Sequence, residues 1–304
     1  MALSLEQLCK RAGERVVVEV SSLSIAPGGF LSILGNSEPC ASTLLRLIGG
    51  LETPTTGVVT LDGRTLGAET LEERAMDHLI LPDMRDRLTA YGRAPSTLPR
   101  ILLIDEGVRD TGSGRLSVQE KRDTFEGLRQ REVTVIYATD DQSLALAISD
   151  QVAVLADGRL VQVDRPAELL RRPHNTFVAT HVGLPPMNVM PAVLEKDGCA
   201  VQVGPRGVQL PGEITETFCR DVFLGVRPDH LRLRRDPSAG WPGQVASSTT
   251  RAGRTYADIA VDGARFLVLD QLDPPAEPGD RVGINVRATD LLVFDEQGDR
   301  LEIR

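Results

Sequence analysis

The sequence predicts an α/β domain built on a parallel sheet, followed by a smaller all-β domain. Three short apolar runs, Phe30–Leu34, Arg100–Glu106 and Thr134–Ala138, have the composition of strands that are buried on both faces. From residue 183 onwards the pattern changes to short strands separated by Gly, Pro and Asp turns, which favours small antiparallel barrels. The predicted domains are therefore residues 1–182 and 183–304.

Composition narrows the classes of function. The 304 residues suffice for two cores, and the net charge of −9 argues against nucleic acid as a partner. The basic run Arg227–Arg235 is interpreted as a solvated strand edge. The sequence contains no apolar run of about 18 residues and no signal-peptide pattern, so membrane association requires a partner. Four cysteines without C-x-x-C spacing indicate reduced thiols of a cytosolic protein.

The first α/β segment has the layout of a phosphate-binding loop. A buried strand, Phe30–Leu34, leads into a tight loop, Gly35–Ala41, and then a helix, Ser42–Ile48. Within the loop, Glu38 adds a negative charge where a triphosphate would lie. Pro39 removes one backbone N–H donor.

The residues that carry the chemistry of such a loop are only partly present. The pattern G-x-x-x-x-G-K-[ST] needs two glycines, a lysine for the phosphates and a hydroxyl for Mg²⁺. Gly35 and the pair Ser42 and Thr43 match it. Cys40 stands at the second glycine and Ala41 at the lysine. The segment is interpreted as a P-loop in shape that has lost its chemistry.

Further motifs extend the pattern through most of the chain: STLLRLIGGLETPTTGVVTLDGR, ILLIDE, TVIYATDDQ, VAVLADGRLVQVDRPAELLRRP, THVGLPPMNVMP and LGVRPDHL. Together they resemble the ATPase subunit of an ABC transporter, of the carbohydrate-importer type typified by the maltose-transporter ATPase. The resemblance covers nearly all 304 residues. It implies a P-loop ABC ATPase core and a C-terminal OB-type, TOBE-like domain for regulation and dimerisation.

The resemblance also assigns roles to individual residues. Ser42 and Asp105 would hold Mg²⁺, and Glu106 would polarise the attacking water. Asp140 stands where the family has a histidine that contacts the γ phosphate, and an aspartate there repels phosphate. The loop positions that would cradle ATP are Gly35, Ala41, Ser42 and Thr43. The alternative for Asp105 and Glu106 is that they only cap the end of a strand.

Other family features are missing. No aromatic residue precedes Phe30 to stack on adenine, no Q-loop glutamine occurs before Gln119, and the signature LSGGQ is absent. The D-loop aspartate is replaced by Gly112. Only seven residues separate Gly92 from Arg100, so the helical subdomain is expected to be largely deleted. A charged helix is predicted at Glu69–Asp77.

These losses favour a catalytically degenerate subunit of a carbohydrate-type ABC importer, with a structural or regulatory role. Its partners would be transmembrane permease subunits and either a second copy or an active paralogue, at the cytoplasmic side of the membrane. The alternatives are an active ATPase whose missing parts come in trans, a free-standing scaffold and a damaged gene product. Against the last, the apolar pattern remains coherent.

Overall fold

We analysed a computed structural model of the chain, which describes residues 3–36, 38–66, 76–80, 99–106, 117–204, 206–215, 220–251 and 253–304. The chain forms two compact units, residues 1–172 and 173–304. The second unit starts before the predicted boundary because its first residues bond within it. The Thr176 N–H donates to the Gly298 carbonyl, and the Arg300 N–H donates to the His174 carbonyl, both at 2.8 Å.

The first unit alternates strands and helices. Its strands are β1 (Leu3–Ala12), β2 (Arg15–Ile25), β3 (Phe30–Gly35), β4 (Thr56–Leu61), β5 (Arg64–Thr65), β6 (Met76–Ile80), β7 (Ile101–Asp105), β8 (Thr134–Ala138), β9 (Gln151–Ala156) and β10 (Arg159–Asp164). Its helices are α1 (Glu38–Gly49), α2 (Val118–Arg129), α3 (Gln142–Ile148) and α4 (Pro166–Arg171).

Within the described residues, these strands form one ten-stranded sheet in the order β5-β4-β1-β2-β10-β9-β3-β8-β7-β6. β3 runs parallel to β8 and β9, and β7 runs parallel to β8 and β6. Every residue of β7 and β8 is buried, as expected for central parallel strands. The carboxyl ends of β3, β8 and β7 therefore meet at one edge of the sheet, which is where ligands bind in open α/β sheets.

The predicted start of α1 is wrong by four residues. The sequence placed a loop over Gly35–Ala41 and the helix from Ser42, whereas the helix begins at Glu38. An acidic residue in the first helical turn is favoured by the helix dipole. A proline is tolerated in that turn because its missing N–H would have no intrahelical acceptor. The helix therefore begins inside the stretch that the sequence assigned to the loop.

Two other predictions differ from the structure. The charged helix predicted at Glu69–Asp77 is wrong at its end, because Met76–Ile80 forms β6 and pairs with β7. The segment Leu3–Ala12 was not predicted as a strand, yet it pairs along most of β2. The remainder of the predicted helix, the stretch 81–98 and the D-loop around Gly112 lie outside the described residues.

The second unit begins with a short helix, α5 (Thr176–His181), and is otherwise built of strands. They are β11 (Asn188–Leu194), β12 (Ala200–Val203), β13 (Arg206–Gln209), β14 (Asp221–Val226), β15 (Arg232–Arg234), β16 (Trp241–Arg251), β17 (Arg254–Val261), β18 (Ala264–Leu269), β19 (Arg281–Asn285), β20 (Leu292–Phe294) and β21 (Arg300–Leu301). In the described part of the unit they form a six-stranded sheet, β13-β12-β11-β14-β20-β21, and a five-stranded sheet, β15-β19-β16-β17-β18.

One core joins the two sheets of the second unit, with Trp241, Phe266 and Leu224 among its buried side chains. Arg227 corrects the interpretation of the basic run as a solvated edge. Its side chain is 8% exposed, and its Nη1 donates to the carbonyls of Val182 at 2.8 Å and Ala179 at 3.2 Å. Burial lowers the pKa of Arg227 to about 10, so the guanidinium stays charged at neutral pH.

Candidate functional site

The residues predicted to form the site do converge at one edge of the sheet. β8 pairs with β3 at Ile33 and with β7 at Asp105, so these strands end side by side. Gly35 ends β3, Asp105 ends β7, and Glu106 follows directly. Asp140 lies just beyond the end of β8 and is exposed.

The loop positions predicted to cradle phosphate are part of a helix. Ala41, Ser42 and Thr43 are half-buried and lie in the first turns of α1. Only the first four N–H groups of a helix lack an intrahelical acceptor, so the N–H groups of Ser42 and Thr43 are committed to the helix. The Cys40 side chain is 5% exposed and packs in the core. A loop of free backbone donors is therefore not formed by these residues.

A side-chain clasp connects the end of β3 to the turn between β9 and β10. The Asn36 Nδ2 donates to the Asp157 carboxylate at 3.1 Å, and the Asp157 backbone N–H donates to the Asn36 Oδ1 at 3.0 Å. The clasp is exposed, so its contribution to stability is modest. Its consequence for chemistry is larger, because it brings a carboxylate beside the position that phosphates would occupy.

Glu106 is a buried acid at this edge that is bonded to three side chains. Its side chain is 4% exposed, and among the described residues it accepts bonds from three donors. The Lys121 Nζ forms a short ion pair with its Oε1, and the Tyr137 hydroxyl donates to its Oε2. The Thr139 Oγ1 also donates to the Oε2, at 2.8 Å. The orientation of the carboxylate is therefore fixed by three protein side chains.

Lys121 reaches Glu106 because of the way α2 begins. Ser117 and Glu120 form a reciprocal capping box that fixes the start of the helix. Lys121, Phe125 and Leu128 are then the buried residues of α2, at the spacing of one helical face. A lysine on an otherwise apolar stripe is buried together with its charge, which is tolerated only beside a partner of opposite charge.

Tyr137 connects this charged pair to an aromatic cluster. Its ring lies 5.3 Å from that of Phe125 and 6.5 Å from that of Phe30, measured between ring centroids. The Lys121 Nζ also donates to the Tyr137 hydroxyl, at 3.4 Å. Burial and the neighbouring Glu106 carboxylate raise the pKa of Tyr137 well above its ordinary value.

This raised pKa predicts a loss of stability in alkali. An unfolded tyrosine releases its proton near pH 10, whereas Tyr137 in the fold keeps it, so stability falls as the pH rises above about 10. Compared with Tyr137→Phe, the free energy of unfolding should fall by about 1.4 kcal/mol more per pH unit in that range. Urea unfolding at about pH 9 and about pH 11 measures this difference. Equal slopes for the two proteins would contradict the prediction.

The end of β8 shows how the two aspartates after Thr139 are used. The Asp141 carboxylate accepts the Leu144 N–H at 3.0 Å and so caps α3. The Asp141 N–H in turn donates to the Thr139 Oγ1 at 3.0 Å. Asp140, which stands at the position of the family histidine, is therefore the exposed member of the pair.

Comparison with family models identifies the second unit. Residues 183–231 match the MalK OB fold domain, and residues 224–294 match the TOBE domain. The second unit therefore matches the OB-fold and TOBE domains of MalK-type proteins. The fold described above, a P-loop ABC core followed by an OB-type domain, is the fold predicted from the sequence.

Relatives match over nearly the whole length. An ABC transporter ATP-binding protein, y4oS of Sinorhizobium fredii, is 27% identical over 96% of this chain and 92% of its own. The sn-glycerol-3-phosphate import ATP-binding protein UgpC of Cereibacter sphaeroides is 28% identical over 98% of this chain and 99% of its own. The Fe(3+) ions import ATP-binding protein FbpC of Photorhabdus laumondii is 27% identical, over 97% of each.

The first of these alignments contains a length difference. It spans 351 positions, whereas this chain has 304 residues, so at least 47 positions of the Sinorhizobium fredii protein have no counterpart here. A shortened family member was predicted from the few residues between Gly92 and Arg100.

The family implies ATP and Mg²⁺, and the residues at this edge do not fit them. The phosphate-loop positions are helical from Glu38, and Cys40 fills the core beneath them. The Glu106 carboxylate is occupied by protein donors.

Sequence reasoning did not single out Lys121, Tyr137, Thr139 or Asn36. A signal for Lys121 exists, since it occupies a core position of the α2 stripe with Phe125. The other bonds depend on which side chains meet across neighbouring strands.

Proposed function

We propose that this chain is a non-hydrolysing ATP-binding-cassette subunit of a carbohydrate-type ABC importer, with a structural or regulatory role. It would attach to the cytoplasmic side of the membrane through permease subunits. It would pair there with a second copy or with an active paralogue. None of the helices in the described part of the chain has the length and apolar character that a bilayer crossing needs.

The observation that carries the proposal is the occupied carboxylate of Glu106. Hydrolysis in this family requires that acid to polarise a water molecule. Here Lys121 neutralises the charge, and Tyr137 and Thr139 fill the second oxygen. A carboxylate whose oxygens already accept these bonds is poorly placed to accept a bond from an attacking water molecule.

The phosphate side of the site supports the same proposal. Ala41 offers no charge where the family lysine reaches the phosphates. The exposed Asp140 and the clasped Asp157 add negative charge at the same edge. Phosphoryl transfer needs both correct positioning of the phosphates and positive charge around them. The Ser42 hydroxyl alone supplies neither.

We expect the purified chain to show no Mg²⁺-dependent ATP hydrolysis. We also expect its melting temperature to stay unchanged in about 1 mM and about 10 mM Mg-ATP or ADP, although a Kd near 100 μM would stabilise it by about 1.4 to 2.7 kcal/mol. Turnover that disappears in both Glu106→Gln and Ser42→Ala would overturn the proposal. An unspecific contaminant would be unaffected by either substitution.

Two further measurements separate the alternatives. Turnover that appears only when a paralogous ATPase is added, and that needs Glu106, would assign the missing parts to a partner. Co-purification of the tagged chain with permease subunits from membranes supports the importer role. A chain that is recovered free of membrane subunits would instead indicate a free-standing scaffold.

A further inference from the structure

A buried pair of opposite charges lies at the centre of the edge where the family binds its metal. The side chains of Lys121 and Glu106 are 7% and 4% exposed. Asp105, which ends the same strand, is 1% exposed. Buried carboxylates are stable only with a compensating charge or with donors.

We infer that the Lys121 ammonium is the built-in counter-cation of the buried Glu106 carboxylate, in place of any cation bound from outside. The inference rests on the proposed function and explains how the Glu106 carboxylate can stay buried without a ligand. Lys121 is a structural and positioning residue in this account. It holds Glu106 in one orientation and connects α2 to the strand end.

The surroundings of Lys121 are built to hold it there. Its helix starts at a fixed register through the capping box of Ser117 and Glu120. Its stem lies on the same helical face as Phe125, whose ring lies 5.0 Å from that of Phe30 and packs beside Tyr137. The Tyr137 hydroxyl accepts a bond from the ammonium and donates one to Glu106. The charge is thus enclosed by donors, acceptors and rings, which makes the pair sensitive to loss of either member.

A double-mutant cycle on melting temperature tests the pairing. Lys121→Met and Glu106→Gln should each lower the melting temperature by about 10 °C, because each leaves its partner buried and uncompensated. The double variant should lie within about 3 °C of the wild type, since replacing both members removes the unpaired charge. Arg122→Met, at the exposed neighbour in α2, is the matched control and should shift the transition by less than about 2 °C.

Additive losses in the cycle would overturn the inference. If a single variant does not fold, the double variant decides the question: the inference requires it to fold, and a double variant that also fails would refute the pairing.

Magnesium chloride without nucleotide tests the second part of the inference. The wild type should melt at the same temperature in Mg²⁺ and in EDTA. Lys121→Met should melt at a higher temperature in Mg²⁺, and the rise should disappear in the double variant. No rise in Lys121→Met would show that Lys121 does not occupy the position of a cation.

These readouts are independent of the proposed function. ATP turnover together with a coupled cycle would refute the non-hydrolysing role and leave the counter-cation in place. Absence of turnover together with an additive cycle would refute the counter-cation role of Lys121 and leave the non-hydrolysing role in place.

Discussion

Gly158→Ala is expected to destabilise the first unit by about 3 to 5 kcal/mol. Gly158 follows Asp157 in the turn between β9 and β10, with φ values of 82° and 47°. An added Cβ would lie 2.2 Å from the Val17 carbonyl oxygen, a backbone atom that cannot move freely. Because the two backbones lie this close together, the Glu19 N–H donates to the Gly158 carbonyl at 2.8 Å. Moving them apart to make room for the Cβ would break this bond. Strain at positive φ adds to the cost.

The matched control is Gly63→Ala in the same unit. Gly63 also follows an aspartate, with φ values of 78° and 52° for Gly63 and Asp62, but an added Cβ meets no atom within 4 Å. Only the backbone strain remains there, about 1 to 2 kcal/mol. Urea unfolding followed by far-ultraviolet circular dichroism reports this unit, which carries α1 to α4. Equal losses for the two variants would contradict the steric argument.

Arg227→Met is expected to destabilise the second unit by about 2 to 4 kcal/mol. The substitution keeps an apolar stem of similar length and removes the donor that serves two carbonyls at the end of α5. The Ala179 carbonyl keeps a second donor, the Met187 N–H at 3.3 Å. The Val182 carbonyl loses its 2.8 Å bond to Nη1. A buried carbonyl that loses its donor bears most of the expected cost.

Trp241 provides the measurement for this variant. It is the one tryptophan of the sequence and lies in the core of the second unit, so its fluorescence follows that unit's unfolding. Arg232→Met is the control, because Arg232 is exposed and its Nη1 makes a 3.2 Å bond to the Asp229 carbonyl. We expect the control to change stability by less than about 0.5 kcal/mol. An Arg227→Met protein as stable as the control would refute the argument.

Much of the fold could be predicted because its strands are patterned locally. β8 has the predicted bounds, Thr134–Ala138, and β3 starts at Phe30 as predicted. β1 was missed because its burial alternates irregularly and its partner strand determines its pairing. The start of α1 was wrong because a family pattern outweighed the helix-favouring residues Glu38 and Pro39.

The site could be located but not interpreted from the sequence. The acids at the end of β7 and the exposed Asp140 lie where the motifs placed them, because strand ends follow from strand order. The pairing of Glu106 with Lys121 links residues on a strand and a helix. It depends on the register of α2 against the sheet, which a single sequence does not encode in any local pattern. The burial of Arg227 escaped prediction for a similar reason, since neighbouring arginines in the run are exposed.

The enclosed pair of Lys121 and Glu106 also bears on how this protein can change over generations. On the proposed function, a lysine restored at position 41 would not recover hydrolysis while Glu106 remains bound to Lys121. If Lys121 were replaced before position 41, the buried Glu106 carboxylate would lose its counter-charge and the fold would be less stable. On the proposed function, each of these two substitutions made alone would therefore give a protein that is still inactive or is less stable. On the proposed function, the stability of the fold would therefore oppose any single substitution that restores hydrolysis.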